Sequence, residues 1–150
     1  MIIENLKASG QLSIVVTDEF GKVKEQVERN LVVTAGKAFV TSRITGTSSA
    51  VMSHMAVGTG TAAAAAADTA LGTQVARVAL GSTTRVTTTV TNDAVQYVAT
   101  FPAGTGTGAL TEAGLFNAAS GGDMFARTVF PVINKGANDS ITITWKITIS

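Results

Sequence analysis

Few side chains in this chain could do chemistry. There is no cysteine and one histidine, His54, which sits in the apolar run Met52–Val57. A Ser-His-Asp system would have to use it, yet no Gly-x-Ser-x-Gly nucleophile motif accompanies it. A structural or interface histidine is the favoured reading. One histidine without a thiol leaves only carboxylates for a metal, so neither metal nor cofactor is expected. Gly58-Thr59-Gly60-Thr61 and Gly104–Gly108 are the two glycine-rich runs that could cradle a phosphate. Neither carries the Lys-Ser/Thr pair of a P-loop, and both read as turns. Glu112 lies in Thr111-Glu112-Ala113-Gly114-Leu115-Phe116, where burial could make it a general acid. No second carboxylate stands in a defined relation to it, as a glycosidase requires. The preferred alternative is an ion pair with an arginine such as Arg77 or Arg127, both on otherwise apolar strands. Asn138-Asp139-Ser140 fits a glycosylation sequon but has no secretory context. The chain is therefore not expected to be an enzyme.

The surroundings of these residues are unusual in composition. The chain has 150 residues, the size of one domain. Only 14% are charged, against about 25% in an ordinary soluble domain. Net charge is +1 with the charges scattered, so the basic stripe of a nucleic-acid binder is missing. No run approaches the roughly 20 apolar residues of a membrane span, and Met1–Gly10 lacks the apolar stretch of a signal peptide. A surface with so few charges is poorly protected against association. That points to a subunit in an assembly, expected to be a homo-oligomer, with no nucleic-acid or membrane partner.

The elements that must position the residues are mostly strands. In Ser140–Ser150, Ile141, Ile143, Trp145, Ile147 and Ile149 alternate with threonine and lysine, which puts the large apolar groups on one face. Gln11–Thr17 and Lys22–Glu28 form a hairpin around Asp18–Gly21, its second strand reading as an edge with valines inward and charges outward. Thr34 is a candidate cap for one short helix over Ala35–Arg43. Met52–Val57 is a short apolar run, and further strands are expected at Val75–Leu80, Arg85–Thr91, Val95–Phe101, Thr111–Phe116 and Met124–Val132, with Pro131 ending or bulging the last. Strands in succession without interleaved helices indicate an all-β antiparallel sandwich, jelly-roll-like, in one domain over 1–150.

Several segments then fall into a recognisable order. Met55-Ala56-Val57-Gly58-Thr59-Gly60-Thr61 precedes an alanine-rich loop and Asp68-Thr69-Ala70-Leu71-Gly72-Thr73. Tyr97–Phe101, Thr111–Phe116, Met124-Phe125-Ala126-Arg127 and the closing Ile-Thr-Trp strand follow. Over about two-thirds of its length the chain resembles small virion proteins of tailed bacteriophages. Comparable segments occur in their collar and tail-fibre attachment modules. The resemblance implies a non-enzymatic structural role in the virion, in a protein made in the host cytoplasm. A compact chain stopping at Ser150 suits a capsid decoration or cement protein bound to the major capsid protein. A collar, neck, baseplate or tail-fibre attachment protein is the alternative. A carbohydrate-binding sandwich would want more exposed aromatics than a chain with 5% aromatic residues offers. The expected contact is the run Ala62, Ala63, Ala64, Ala65, Ala66 and Ala67. It is too apolar for an ordinary solvated loop, too short for a stable helix, and small enough for close backbone approach.

Overall fold

A computed structural model describes residues 1, 4–47 and 49–150. Among the described residues, nine strands and one helix follow in order: β1 (Ala8–Thr17), β2 (Val23–Val32), α1 (Thr34–Ile44), β3 (His54–Gly58), β4 (Gln74–Ala79), β5 (Ser82–Val86), β6 (Ala94–Phe101), β7 (Gly108–Phe116), β8 (Met124–Lys135) and β9 (Ser140–Ile149). All pairings are antiparallel, and the strand order is β4-β3-β7-β8-β2-β1-β9-β6-β5. The expected all-β antiparallel architecture with one short helix is what forms.

The sheet curls into two facing halves that share β2. Along Gly10–Thr17, β1 is paired with β2, but only Leu31 and Val32 of β2 continue to β8, opposite Arg127 and Ala126. The far corner is closed by the chain itself, because the end strands β4 and β5 are joined through Leu80-Gly81. Leu80 N–H donates to the Ser53 carbonyl at 2.9 Å and Gly81 N–H to the Val98 carbonyl at 2.7 Å, one bond to each half.

Between the halves lies one core. The alternation in β9 sends Ile141, Ile143, Trp145 and Ile147 inward, beside Leu12 and Ile14 of β1. Met55, Val57, Leu110, Leu115, Phe130 and Ile133 meet them from the opposite half. Full burial of each large aliphatic side chain contributes about 1.5–3 kcal/mol. Trp145 is fully buried, and its indole N–H donates to Asn30 Oδ1 at 3.0 Å, so its one polar atom is satisfied.

Four local expectations are corrected or refined. Thr34 does not cap α1: the helix begins at Thr34, with Val33 at the N-cap and no side-chain cap bond. The backbone does the work instead, as Thr34 N–H donates to the Ala66 carbonyl at 2.8 Å. β5 ends at Val86, short of Thr91, because the Asp93 carboxylate accepts the N–H groups of Thr88, Thr89 and Val90 and turns the chain away. β8 runs through Pro131 to Lys135 with a bulge. Leu110 and Glu112 of β7 face Ile133 and Val129, so Pro131 sits in surplus chain where its missing N–H breaks no ladder.

The second strand of the hairpin is turned over relative to expectation. Leu12 and Ile14 stand opposite Glu28 and Gln26, and directly paired residues share a face. Lys24, Gln26 and Glu28 therefore lie on the core side, while Val23 and Val27 point outward with 59% and 52% of their surface exposed. The Asp18 turn fixes this register: Asp18 Oδ1 accepts from Phe20 N–H and Lys22 N–H. A shift of one residue exchanges the two faces of a strand, and polar groups are tolerated inward here because β2 borders the open side of the sandwich.

Candidate functional site

Two residues of β7 that face away from the core, Glu112 and Phe116, lie beneath the long loop joining β3 to β4. A second, smaller apolar cluster forms there from Val33, Ala56, Leu71, Phe116 and Met124. Beside it Glu112 is completely buried. Its Oε1 accepts from Gly60 N–H at 2.9 Å and Thr73 N–H at 2.8 Å; its Oε2 accepts from Gly72 N–H at 2.9 Å and from Arg127 Nε and Nη2 at 3.1 and 2.8 Å.

Arg127 completes the joint. Besides Glu112, its Nη1 donates to Asp68 Oδ2 at 2.8 Å and the Ala63 carbonyl at 3.4 Å, and its Nη2 to the Ala62 carbonyl at 3.0 Å. Every one of the five guanidinium donors has an acceptor. Asp68 in turn accepts from Ala65 N–H at 2.8 Å. The ion pair expected for Glu112 is thus present with Arg127. Arg77 is elsewhere: it lies 3.6 Å over the Phe116 ring and donates to the carbonyls of Ala118 and Gly121.

The electrostatics follow from this geometry. Burial pushes the Glu112 carboxyl upward, but the N–H groups of Thr73 and Gly72, the guanidinium and Gly60 N–H outweigh it, leaving it below its ordinary range. Burial likewise opposes the charge on Arg127, and Glu112 and Asp68 overcome it, raising the guanidinium above its ordinary value. Asp68 is held low, first by Ala65 N–H and then, against some desolvation, by Arg127. Glu112 stays ionised with all its near neighbours donating to it, which is the opposite of a general acid.

Close approach of the backbone explains the glycines. A Cβ on Gly60 would lie 2.5 Å from Glu112 Oε1, and one on Gly58 would run into the Thr73 carbonyl oxygen and lie 2.6 Å from Glu112 Oε1. A Cβ on Gly114 would come within 2.9 Å of both Leu71 and the Phe116 ring. The Gly-Thr-Gly run is therefore neither a phosphate cradle nor merely a turn. It lets the backbone close on a buried anion supplied by the protein.

Above this joint the run Ala62–Ala67 is an ordered loop with a single turn at Ala66–Ala67, and all its alanines except half-buried Ala64 are exposed. The carbonyls of Ala62 and Ala63 accept from Arg127 and that of Ala66 from Thr34 N–H, which ties the loop down while most of its methyl groups stay exposed. A groove of about 410 Å³ runs beside it, lined by Arg29, Leu31, Thr61, Ala63, Ala64 and Thr128 among others.

His54 is not part of this arrangement. Its Nδ1 is 2.8 Å from Ser53 Oγ, and among the described residues no carboxylate hydrogen-bonds to the ring. Among the described residues no group of three or more His, Asp or Glu side chains could hold a metal ion, and no helix is long and apolar enough to cross a membrane. Sequence reasoning missed the N–H partners of Glu112 on Gly60, Gly72 and Thr73 and the role of Asp68, which lie 39–52 residues from it along the chain. The recurrence of glycine on both sides of the alanine run was the available signal. Compared with protein-family models, curated proteins and solved structures, the chain matches none of them.

Proposed function

We propose that this chain is a non-enzymatic structural subunit of a tailed-phage virion, a decoration or cement protein that binds the assembled head through the loop Ala62–Ala67. The observation that carries a binding role is the joint beneath that loop. A buried carboxylate, a buried guanidinium and three backbone N–H groups are spent on holding a short, methyl-covered segment rigid at the surface. A loop fixed in advance loses little conformational freedom on docking, and its small side chains permit close packing against a neighbour. The virion assignment itself rests on the sequence resemblance. A cement protein binds the assembled state and not its parts, so each docked copy adds to shell stability by linkage. Use at the collar, neck, baseplate or tail-fibre attachment is the second reading, favoured by the likeness of the same glycine and Glu-x-Gly-Leu-Phe segments to those modules.

The test replaces Ala65 and Ala67, both exposed, with glutamate. Two charges brought into a packed interface without partners are costly, so incorporation into particles should fall while the melting temperature of the isolated protein stays unchanged. Immunogold labelling of virions then separates the readings. Label over the head supports cement, and label confined to the tail supports the second reading. Wild-type incorporation of the double variant would remove the loop from the interface.

A further inference from the structure

β2 carries an unused hydrogen-bonding edge. Alternate residues of a strand direct their peptide groups to opposite sides. Lys22 is turned toward β1, since its carbonyl accepts Asp18 N–H at 3.0 Å. Arg29 and Val33 are turned the other way: the Arg29 carbonyl accepts from Thr128 Oγ1 at 2.8 Å and Val33 N–H donates to the Phe125 carbonyl at 3.2 Å. The register between β1 and β2 is regular from Val23 to Asn30. The N–H and C=O groups of Val23, Glu25 and Val27 therefore point away from β1, and the pairing with β8 is confined to Leu31 and Val32. β8 cannot extend the ladder, because it bulges at Phe130–Val132 and Pro131 has no N–H. The edge is open to solvent, with Val23, Lys24, Glu25 and Val27 all exposed.

We propose that this edge pairs antiparallel with the same edge of a second copy, around a two-fold axis passing at Gln26. Its own sequence identifies the occupant. With the axis at Gln26, Lys24 stands opposite the partner's Glu28, and Glu28 opposite the partner's Lys24. Both fall at non-hydrogen-bonded positions, where side chains approach most closely. Glu25 pairs with the partner's Val27 and Val27 with the partner's Glu25, so the peptide groups of both are used, while Val23 falls opposite the partner's Arg29, whose carbonyl already accepts from Thr128 Oγ1. An axis at Glu25 would set that carboxylate against itself. Residues of opposite charge placed two before and two after one position are what an edge needs to recognise its own copy. The outcome is a sheet continuous through both subunits. This pairing is independent of which assembly the protein serves.

Sedimentation velocity on the purified full chain is the test, with a dimer expected. Lys24→Glu and Glu28→Lys each place like charges opposite one another at two points and should weaken the dimer by about tenfold or more. The double variant K24E/E28K exchanges the charges and should return the dimer to its parental affinity. Val27→Pro removes one edge N–H without touching the β1 ladder, and should yield a folded monomer. A parental chain that is monomeric at every concentration would overturn the proposal and leave the charges as protection of the edge. So would single variants that dimerise undiminished, or a folded double variant that stays monomeric.

Discussion

Replacing Glu112 with glutamine changes the size of the side chain very little and its hydrogen bonding completely. The carboxylate receives five donors, two at Oε1 and three at Oε2. An amide has one acceptor oxygen and one NH₂ group, so in either orientation its NH₂ faces at least two donors. Arg127, 3% exposed, is left with Asp68, whose side chain is 24% exposed, as its sole carboxylate. Removing one member of a buried pair costs about 3–5 kcal/mol. In a domain of this size each kcal/mol shifts the midpoint by about 2–4 °C, so the variant should melt about 6–20 °C below the parent. The double change Glu112→Leu with Arg127→Met should not recover this loss, although apolar replacement of a buried pair is often neutral. Here it orphans Gly60, Gly72 and Thr73 N–H, which no apolar side chain can satisfy. Calorimetric melting gives the magnitude, and hydrogen exchange at those three amides locates it. A melting point within a degree of the parent, with the three amides still protected, would refute the clamp.

Acid should act through the same groups. Glu112 and Asp68 are both held below their ordinary range, so their contribution is present above the unfolded carboxylate values, about 3.9–4.3. It is lost as pH falls through the folded values. Chemical denaturation should give flat stability from about pH 8 down to pH 5 and a decline below about pH 4, a decline that E112Q shows in reduced form. Trp145→Ala should cost about 3–5 kcal/mol, the range for emptying a buried aromatic site. In the parent, tryptophan fluorescence should be that of a water-excluded indole, and emission like that of free tryptophan would place the side chain on the wrong face.

The parts of this fold legible in the sequence are those where one physical effect dominates. Ile141, Ile143, Trp145 and Ile147 of β9 alternate with polar residues and face the core as read, while Ile149 at the strand end is only half-buried. Six alanines between glycines gave an ordered loop, and an acid beside two arginines on apolar strands gave the Glu112–Arg127 pair. Elsewhere two effects compete at a single residue. Val23 and Val27 carry the inward signal, yet turn hydrogen bonds to Asp18 set the register and send them outward. Arg85–Thr91 has strand composition, but Asp93 takes three of its N–H groups. Thr34 has the chemistry of a cap and loses the position to a carbonyl from the alanine loop. The clamp joins Gly60, Asp68, Gly72, Glu112 and Arg127, and no local pattern reports a contact that distant.

The pairing of β1 with β9 has a consequence for how the chain reaches this state. Ten residues of each strand are in register, from Ala8 opposite Ile149 to Thr17 opposite Ser140. The hairpins β1–β2, β5–β6 and β7–β8 close short loops and can form early, but this ladder brings together segments from far apart in the chain and pays a large loop-closure entropy first. During synthesis Leu12 and Ile14 are made long before Ile143 and Trp145 arrive to cover them. Their apolar face stays without its cover for most of translation, and collapse into the finished core waits for β9. Folding dominated by such remote contacts is slow, on the millisecond-to-second scale. The interval leaves sticky strand surface available to other nascent chains, so delaying the synthesis of β9 should lower the recovery of folded protein.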